Sequence, residues 1–258
     1  MRSFWTCVFI GCGLLIVDVL FYLLQQINTT PLVFYLGVAV DQLTFITPIF
    51  LALFGYLGLE KDWSGRSGWL LVFLALSFYA VGDTIWNVYG SMKVEPPYPG
   101  LSDVFYFFFP PLMISAMMIF LRLTRTKRSP VQIICVSAAG GLLLGFLLWK
   151  VIIPHLAEPQ IPLTIKLLDL YYPLADMIIF TIGLLILLQV WGGQISVSFL
   201  LFLSGIFVLI VVDALYSLFS ENWGYRNPLD ILWNLAYLLI ALALVYERTL
   251  HKRIRDEL

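Results

Sequence analysis

The chain has 258 residues, of which 61% are hydrophobic and 12% charged. Its mean hydropathy is +0.93, so there is too little polar surface for water on every side. Fifteen Lys and Arg against sixteen Asp and Glu leave a net charge of −1 and no basic face for nucleic acid. The composition points to an all-α, polytopic membrane helix bundle in contact with a lipid bilayer.

A helix needs roughly 20 apolar residues to cross the hydrocarbon. The sequence divides into eight such runs, at about 4–24, 32–58, 69–89, 101–121, 131–152, 164–190, 197–219 and 229–246. The first begins after Arg2 and lacks a good small-residue cleavage site, so it is read as a retained span. Helix starts are signalled at Thr30-Pro31, at Ser129-Pro130 with Gln132, and at Asn227-Pro228 with Asp230. The expected organisation is one eight-span domain over 1–246, followed by a cytoplasmic signalling helix or tail over 247–258. Leu250, Ile254 and Leu258 form an i, i+4, i+8 stripe along that tail.

In this arrangement Arg2, Lys61, Arg66, Arg122, Arg125, Lys127, Arg128, Arg248, Lys252, Arg253 and Arg255 share one side. The positive-inside rule makes that side, with both termini, cytoplasmic in an integral cell-membrane protein. Lys93, Lys150, Lys166 and Arg226 fall on the other face, with the sequon Asn28-Thr29-Thr30. Cys7, Cys12 and Cys135 have no ligand spacing and read as packing residues, so no metal site and no cofactor is expected.

The acids of the spans are Asp18, Asp41, Asp83, Asp103, Asp169, Asp176, Asp213 and Asp230. Each comes late in an outward run or early in an inward one, so all eight belong to the outer half. An aspartate at mid-helix costs about 2.5–3.5 kcal/mol to insert, so these groups are expected to face each other, water or a ligand. Helical spacing puts Tyr79, Asp83, Trp86 and Asn87 on one face, Asp169, Tyr172 and Asp176 on another, Asp213, Tyr216 and Ser217 on a third, and Asp230, Trp233, Asn234 and Tyr237 on a fourth. Together they form an outward-opening cup of carboxylates, rings and amides. Asp103 and Asp230 stand in first turns, where capping competes with ligand binding as the explanation. Asp18 and Asp41 divide evenly between a cup role and pairing near the interface, while Asp83, Asp176 and Asp213 are placed deepest.

"VGDTIWNVYG" with "PGLSDVFYFFFPPL" has a looser counterpart in "VVDALYSLFS" with "NPLDILWNLAYLL". Spans three and four thus echo seven and eight, which suggests two parallel four-helix repeats. Over about 69–246 these motifs resemble the multi-spanning input region N-terminal to many bacterial and archaeal diguanylate cyclases, phosphodiesterases and histidine kinases. The resemblance rests on Gly82-Asp83-Thr84-Ile85-Trp86, on Pro97-Tyr98-Pro99-Gly100-Leu101-Ser102-Asp103 with Tyr106 and Pro111, and on Tyr172-Pro173-Leu174-Ala175-Asp176. Gly100 stands where serine is usual, and Pro110 where tyrosine is. The resemblance implies a sensor with an unknown small-molecule or lipid ligand and a cytoplasmic output domain or kinase partner; a homodimer is compatible with it.

The favoured function is reception of a small amphipathic or cationic ligand, or a lipid, without catalysis. The cup residues singled out are Tyr79, Asp83, Trp86, Asn87, Asp103, Tyr106, Asp169, Tyr172, Asp176, Asp213, Tyr216, Trp233 and Asn234. A membrane-embedded aspartate-dependent lipid hydrolase and a proton-coupled transporter are the alternatives.

Overall fold

The structure, a computed structural model, describes residues 1–28, 30–94, 96–124, 130–190, 197–219 and 227–257. Of the sequence expectations, Thr29 of the sequon, Arg125, Lys127, Arg128, Ser129, Arg226 and Leu258 lie outside the described residues.

The elements are α1 (Arg2–Ile27), α2 (Pro31–Leu57), α3 (Arg66–Ser91), α4 (Leu101–Tyr106), α5 (Phe109–Leu123), α6 (Pro130–Leu147), a π-helical turn (Leu148–Ile152), α7 (Ile153–Ala157), α8 (Leu163–Val190), α9 (Val197–Phe219) and α10 (Leu229–Glu257). Among the described residues no strand occurs. Seven runs are long and apolar enough to cross a membrane: α1, α2, α3, the α4–α5 pair, α8, α9 and α10. The expected span at 131–152 is the exception. Its apolar stretch within α6 is shorter, Pro130–Leu142, and the region ends in the π-helical turn.

Local chemistry accounts for the breaks. Pro31 opens α2, where its missing N–H leaves no carbonyl unpaired. At the start of α10, Asn227 Oδ1 accepts from the Leu229 amide at 2.8 Å while Asp230 Oδ2 accepts from the Asn227 amide at 3.1 Å, a reciprocal cap. The span expected at 101–121 is interrupted between α4 and α5. Pro111 has no N–H to give the Phe107 carbonyl, and the Tyr171 hydroxyl from α8 donates to that carbonyl instead, at 2.8 Å. The Phe107 and Tyr171 rings stack at 4.6 Å and seal the junction.

Six elements close a ring in the order α2, α3, α5, α8, α9, α10 and back to α2. Outside it, α1 packs on α2 and α10, and α6 packs on α8. Gly55 and Gly205 bring α2 and α9 against α10: a Cβ on Gly205 would lie 2.8 Å from the Ala236 carbonyl oxygen, and one on Gly55 2.9 Å from that of Leu244. Small residues at such crossings let backbones approach, which is what packs helices where both protein and lipid are apolar. Trp69 fills the middle of one half of the ring with no exposed surface, its ring centroid 4.9 Å from Phe120 and 5.5 Å from Phe202. On α1, Phe9, Ile16, Leu20 and Leu23 are exposed, as a lipid-facing surface requires.

Candidate functional site

Three polar groupings lie in the half of the bundle that holds the aspartates. The first joins α1, α2, α3 and α10. Asn234 Nδ2 donates to Asp18 Oδ2 at 3.2 Å and to Asp41 Oδ1 at 3.1 Å. Asn87 Nδ2 donates to Asp41 Oδ2 at 3.3 Å and to Gln42 Oε1 at 2.9 Å, and Gln42 Nε2 donates to Thr84 Oγ1 at 2.9 Å. Asp18 has no exposed surface. It is therefore Asp18, and not Asp83, Asp176 or Asp213, that is most enclosed; those three are half-buried. The enclosure of Asp18 has a simple cause, since α1 presses its Asp18 face into the groove between α2 and α10.

The second grouping is central. Asp83 on α3, Asp176 on α8 and Asp213 on α9 lie within Coulombic range in the pairs Asp83–Asp213 and Asp176–Asp213. Tyr106 donates its hydroxyl to Asp83 Oδ1, and Trp233 Nε1 donates to Asp213 Oδ1 at 2.7 Å. Asp176 makes no hydrogen bond among the described residues. Rings form the wall: Tyr79 lies 4.7 Å from Tyr106 and 5.0 Å from Tyr237, and Tyr216 lies 5.3 Å from Trp233. Tyr237 is 2% exposed, and its hydroxyl makes no hydrogen bond of normal geometry.

The third grouping forms the rim. Asp103 Oδ2 accepts from the Gly100 amide at 2.7 Å, which is the cap expected of it, and Tyr172 approaches its other oxygen at 3.5 Å. The Tyr98 hydroxyl donates to Asp169 Oδ1. Tyr98 sits in the α3–α4 connection, where partial burial and then the bond to Asp169 push its phenol above the usual tyrosine range.

No known protein family, characterised protein or solved structure matches this chain.

Of the thirteen singled-out residues, Tyr79, Asp83, Tyr106, Asp176, Asp213, Tyr216 and Trp233 meet in the central grouping or its wall. Asp103, Asp169 and Tyr172 form the rim. Asn87 and Asn234 belong to the lateral amide clamp, and half-buried Trp86 takes no part in the polar or ring contacts described. Sequence reasoning missed Gln42 and Thr84, which looked like ordinary polar residues of spans, and did not rank Tyr98 or Tyr237. For Tyr237 the signal was present, because it lies on the helical face of Asp230, Trp233 and Asn234.

One pattern recurs. Asp103 and Asp230 each accept from the backbone amide three residues earlier, and the aromatic residue three positions later, Tyr106 or Trp233, donates to the aspartate of the preceding span, Asp83 or Asp213. Two helix pairs thus use one hydrogen-bonding scheme.

At the opposite end of α10 a separate cluster forms. Glu247, 5% exposed, accepts from Ser198. His251 stands 3.6 Å from Glu247 and 3.8 Å from Glu60, against the Trp63 ring at 4.5 Å. The segment from 247, expected as a signalling helix or tail, is helical through Glu257 and packed as far as His251, with residues 252–256 exposed.

Proposed function

We propose that the chain is a transmembrane sensory or ligand-binding module of eight spans with both termini cytoplasmic, α6 and the π-helical turn supplying the fifth crossing. In this reading a small amphipathic or cationic molecule, or a lipid, enters the central grouping from the outer side and shifts the packing of the ring. The shift reaches a cytoplasmic output domain or kinase partner through α10. The observation that carries it is that Asp83 on α3 and Asp176 on α8 both lie within electrostatic reach of Asp213 on α9, each of the three still partly accessible. Carboxylates gathered in a membrane interior cost free energy unless a ligand, water or proton completes them. Signalling needs only that the ligand favour one packing over another. The repeated scheme of Asp103 with Tyr106 and Asp230 with Trp233 supports two related four-helix halves, with the site between them.

The test is native mass spectrometry of the protein purified in mild detergent. A bound small molecule should be ejected from the wild type and be absent from the Asp83→Asn/Asp176→Asn double variant. Equal retention by both proteins would remove the site from this reading.

The approach of Asp83 to Asp213 gives the hydrolase alternative its one geometric support. Turnover of lysolipids by the purified protein, abolished in Asp213→Asn, would establish that alternative.

A further inference from the structure

Apart from the three polar groupings, a cavity of about 220 Å³ opens where α1 and α3 end and α2 begins, lined by Gln25, Asn28, Pro31, Phe34 and Lys93. None of these residues is acidic. Gln25 Nε2 donates to the Val33 and Phe34 carbonyls at 3.2 and 3.1 Å, which ties the end of α1 to the start of α2. Asn28 Oδ1 accepts from the Thr30 amide at 3.0 Å, and this fixes the side chain while its amide nitrogen makes no hydrogen bond among the described residues.

Lys93 is held there against the preference of its backbone. Its φ of 56° lies in the left-handed region, just past a helix end where glycine is the usual residue. The turn is closed by the Lys93 amide, which donates to the Gly90 carbonyl at 2.9 Å, and by the Val94 amide, which donates to that of Tyr89 at 3.1 Å. A lysine at a helix end ordinarily answers the last carbonyls. The Lys93 ammonium instead makes no hydrogen bond or ion pair among the described residues and stands 5.2 Å from the centre of the Phe34 ring on α2. The ring positions the cation among the lining residues and leaves its N–H donors available.

Size and surroundings narrow the occupant. A volume of 220 Å³ falls short of the roughly 300–1,000 Å³ that enclose a drug-sized molecule, so the cavity suits a headgroup whose remainder stays outside. Outside, the surface is apolar. Ile27 and Leu32, next in the chain to the lining residues Asn28 and Pro31, are 84% and 69% exposed, and Met92, next to Lys93, is 65% exposed. Two free donors, one of them cationic, beside a lipid-facing surface at the level where three spans end, match an anionic group carried on acyl chains.

We propose that this cavity takes the phosphodiester of an anionic membrane phospholipid, whose oxygens accept from Lys93 Nζ and Asn28 Nδ2 while the acyl chains lie along the exposed faces of α1 and α2. The site shares no residue with the central grouping, so this assignment and the receptor reading stand or fall separately.

The experiment is calorimetric titration of the full chain in a neutral detergent at low salt with three probes: dioctanoyl phosphatidylglycerol, dioctanoylglycerol, which has the same chains and no phosphate, and inorganic phosphate. The expected result is saturable binding of the phosphatidylglycerol, about fivefold weaker binding of dioctanoylglycerol and none of inorganic phosphate at the same concentrations. Lys93→Gly should weaken phosphatidylglycerol about fivefold, and Lys93→Arg should retain it. Glycine suits the left-handed turn, so Lys93→Gly is a folded probe. Asn28→Asp keeps the oxygen that accepts from Thr30 and replaces the donor with a negative charge, so it should weaken binding at least as much. Equal binding of the two lipids, inorganic phosphate binding as tightly as the phospholipid, or a Lys93→Gly variant that titrates like the wild type would each overturn the assignment.

Discussion

Asp18 and Asn234, 216 residues apart in sequence, meet at 3.2 Å in the buried seam between α1 and α10. The same amide nitrogen also reaches Asp41, so one side chain ties the first, second and last spans together. A carboxylate with no exposed surface is sensitive to the loss of any donor.

Asn234→Ala should therefore lower stability by about 1–3 kcal/mol. In a double-mutant cycle with Asp18→Ala, thermal unfolding in detergent should show a coupling of about 0.6 kcal/mol or more, the usual size for a hydrogen bond between membrane helices. Strict additivity of the two substitutions would show that the contact contributes nothing.

Tyr106→Phe deletes only the hydroxyl that serves Asp83 and keeps the ring against Tyr79. A cost of about 1 kcal/mol in unfolding is expected. Asp83→Asn should cost less, because the amide oxygen still accepts from Tyr106. The opposite ranking would mean that the charge at position 83, and not the hydrogen bond, holds α3 to α4.

The Tyr98 contact gives a pH test. Its phenol is raised above the ordinary range near 10, so the stability it contributes is fully present below the unfolded value and is lost only as pH climbs through the folded one. The stability difference between wild type and Tyr98→Phe, roughly 1 kcal/mol or less for a contact this exposed, should stay level from about pH 6 to 9. A difference that fades within that window would place the Tyr98 proton elsewhere.

His251→Ala removes a ring packed on Trp63 and the contact with Glu60 in the α2–α3 connection. Amide exchange should accelerate over residues 247–257 and stay unchanged over 236–245, where α10 is buried almost throughout. Uniform acceleration along the whole helix would show that the two parts of α10 open together.

Periodicity and proline placement made the all-helical membrane architecture readable, because a bilayer permits few alternatives and apolar runs announce themselves. The caps at Asp103 and Asp230 were legible for the same reason: a first-turn carboxylate finds its partner three residues away, and local chemistry is written locally. What failed to show was anything set by which helix lies beside which. The enclosure of Asp18, the Gln42–Thr84 bond and the burial of Tyr237 against Tyr79 depend on neighbours 42 to 216 residues away in sequence. At 131–152 hydropathy marks an apolar run but does not reveal that the helical repeat changes at Leu148.

Two of the ring helices carry an internal proline, Pro48 in α2 and Pro173 in α8, and so contain a joint. Helix α10 has neither proline nor glycine along its 29 residues. It is a stiff rod about 43 Å long. Asn234 and His251 therefore stand about 26 Å apart on one unjointed strut, with the amide clamp near one end and the Glu247–His251 cluster near the other.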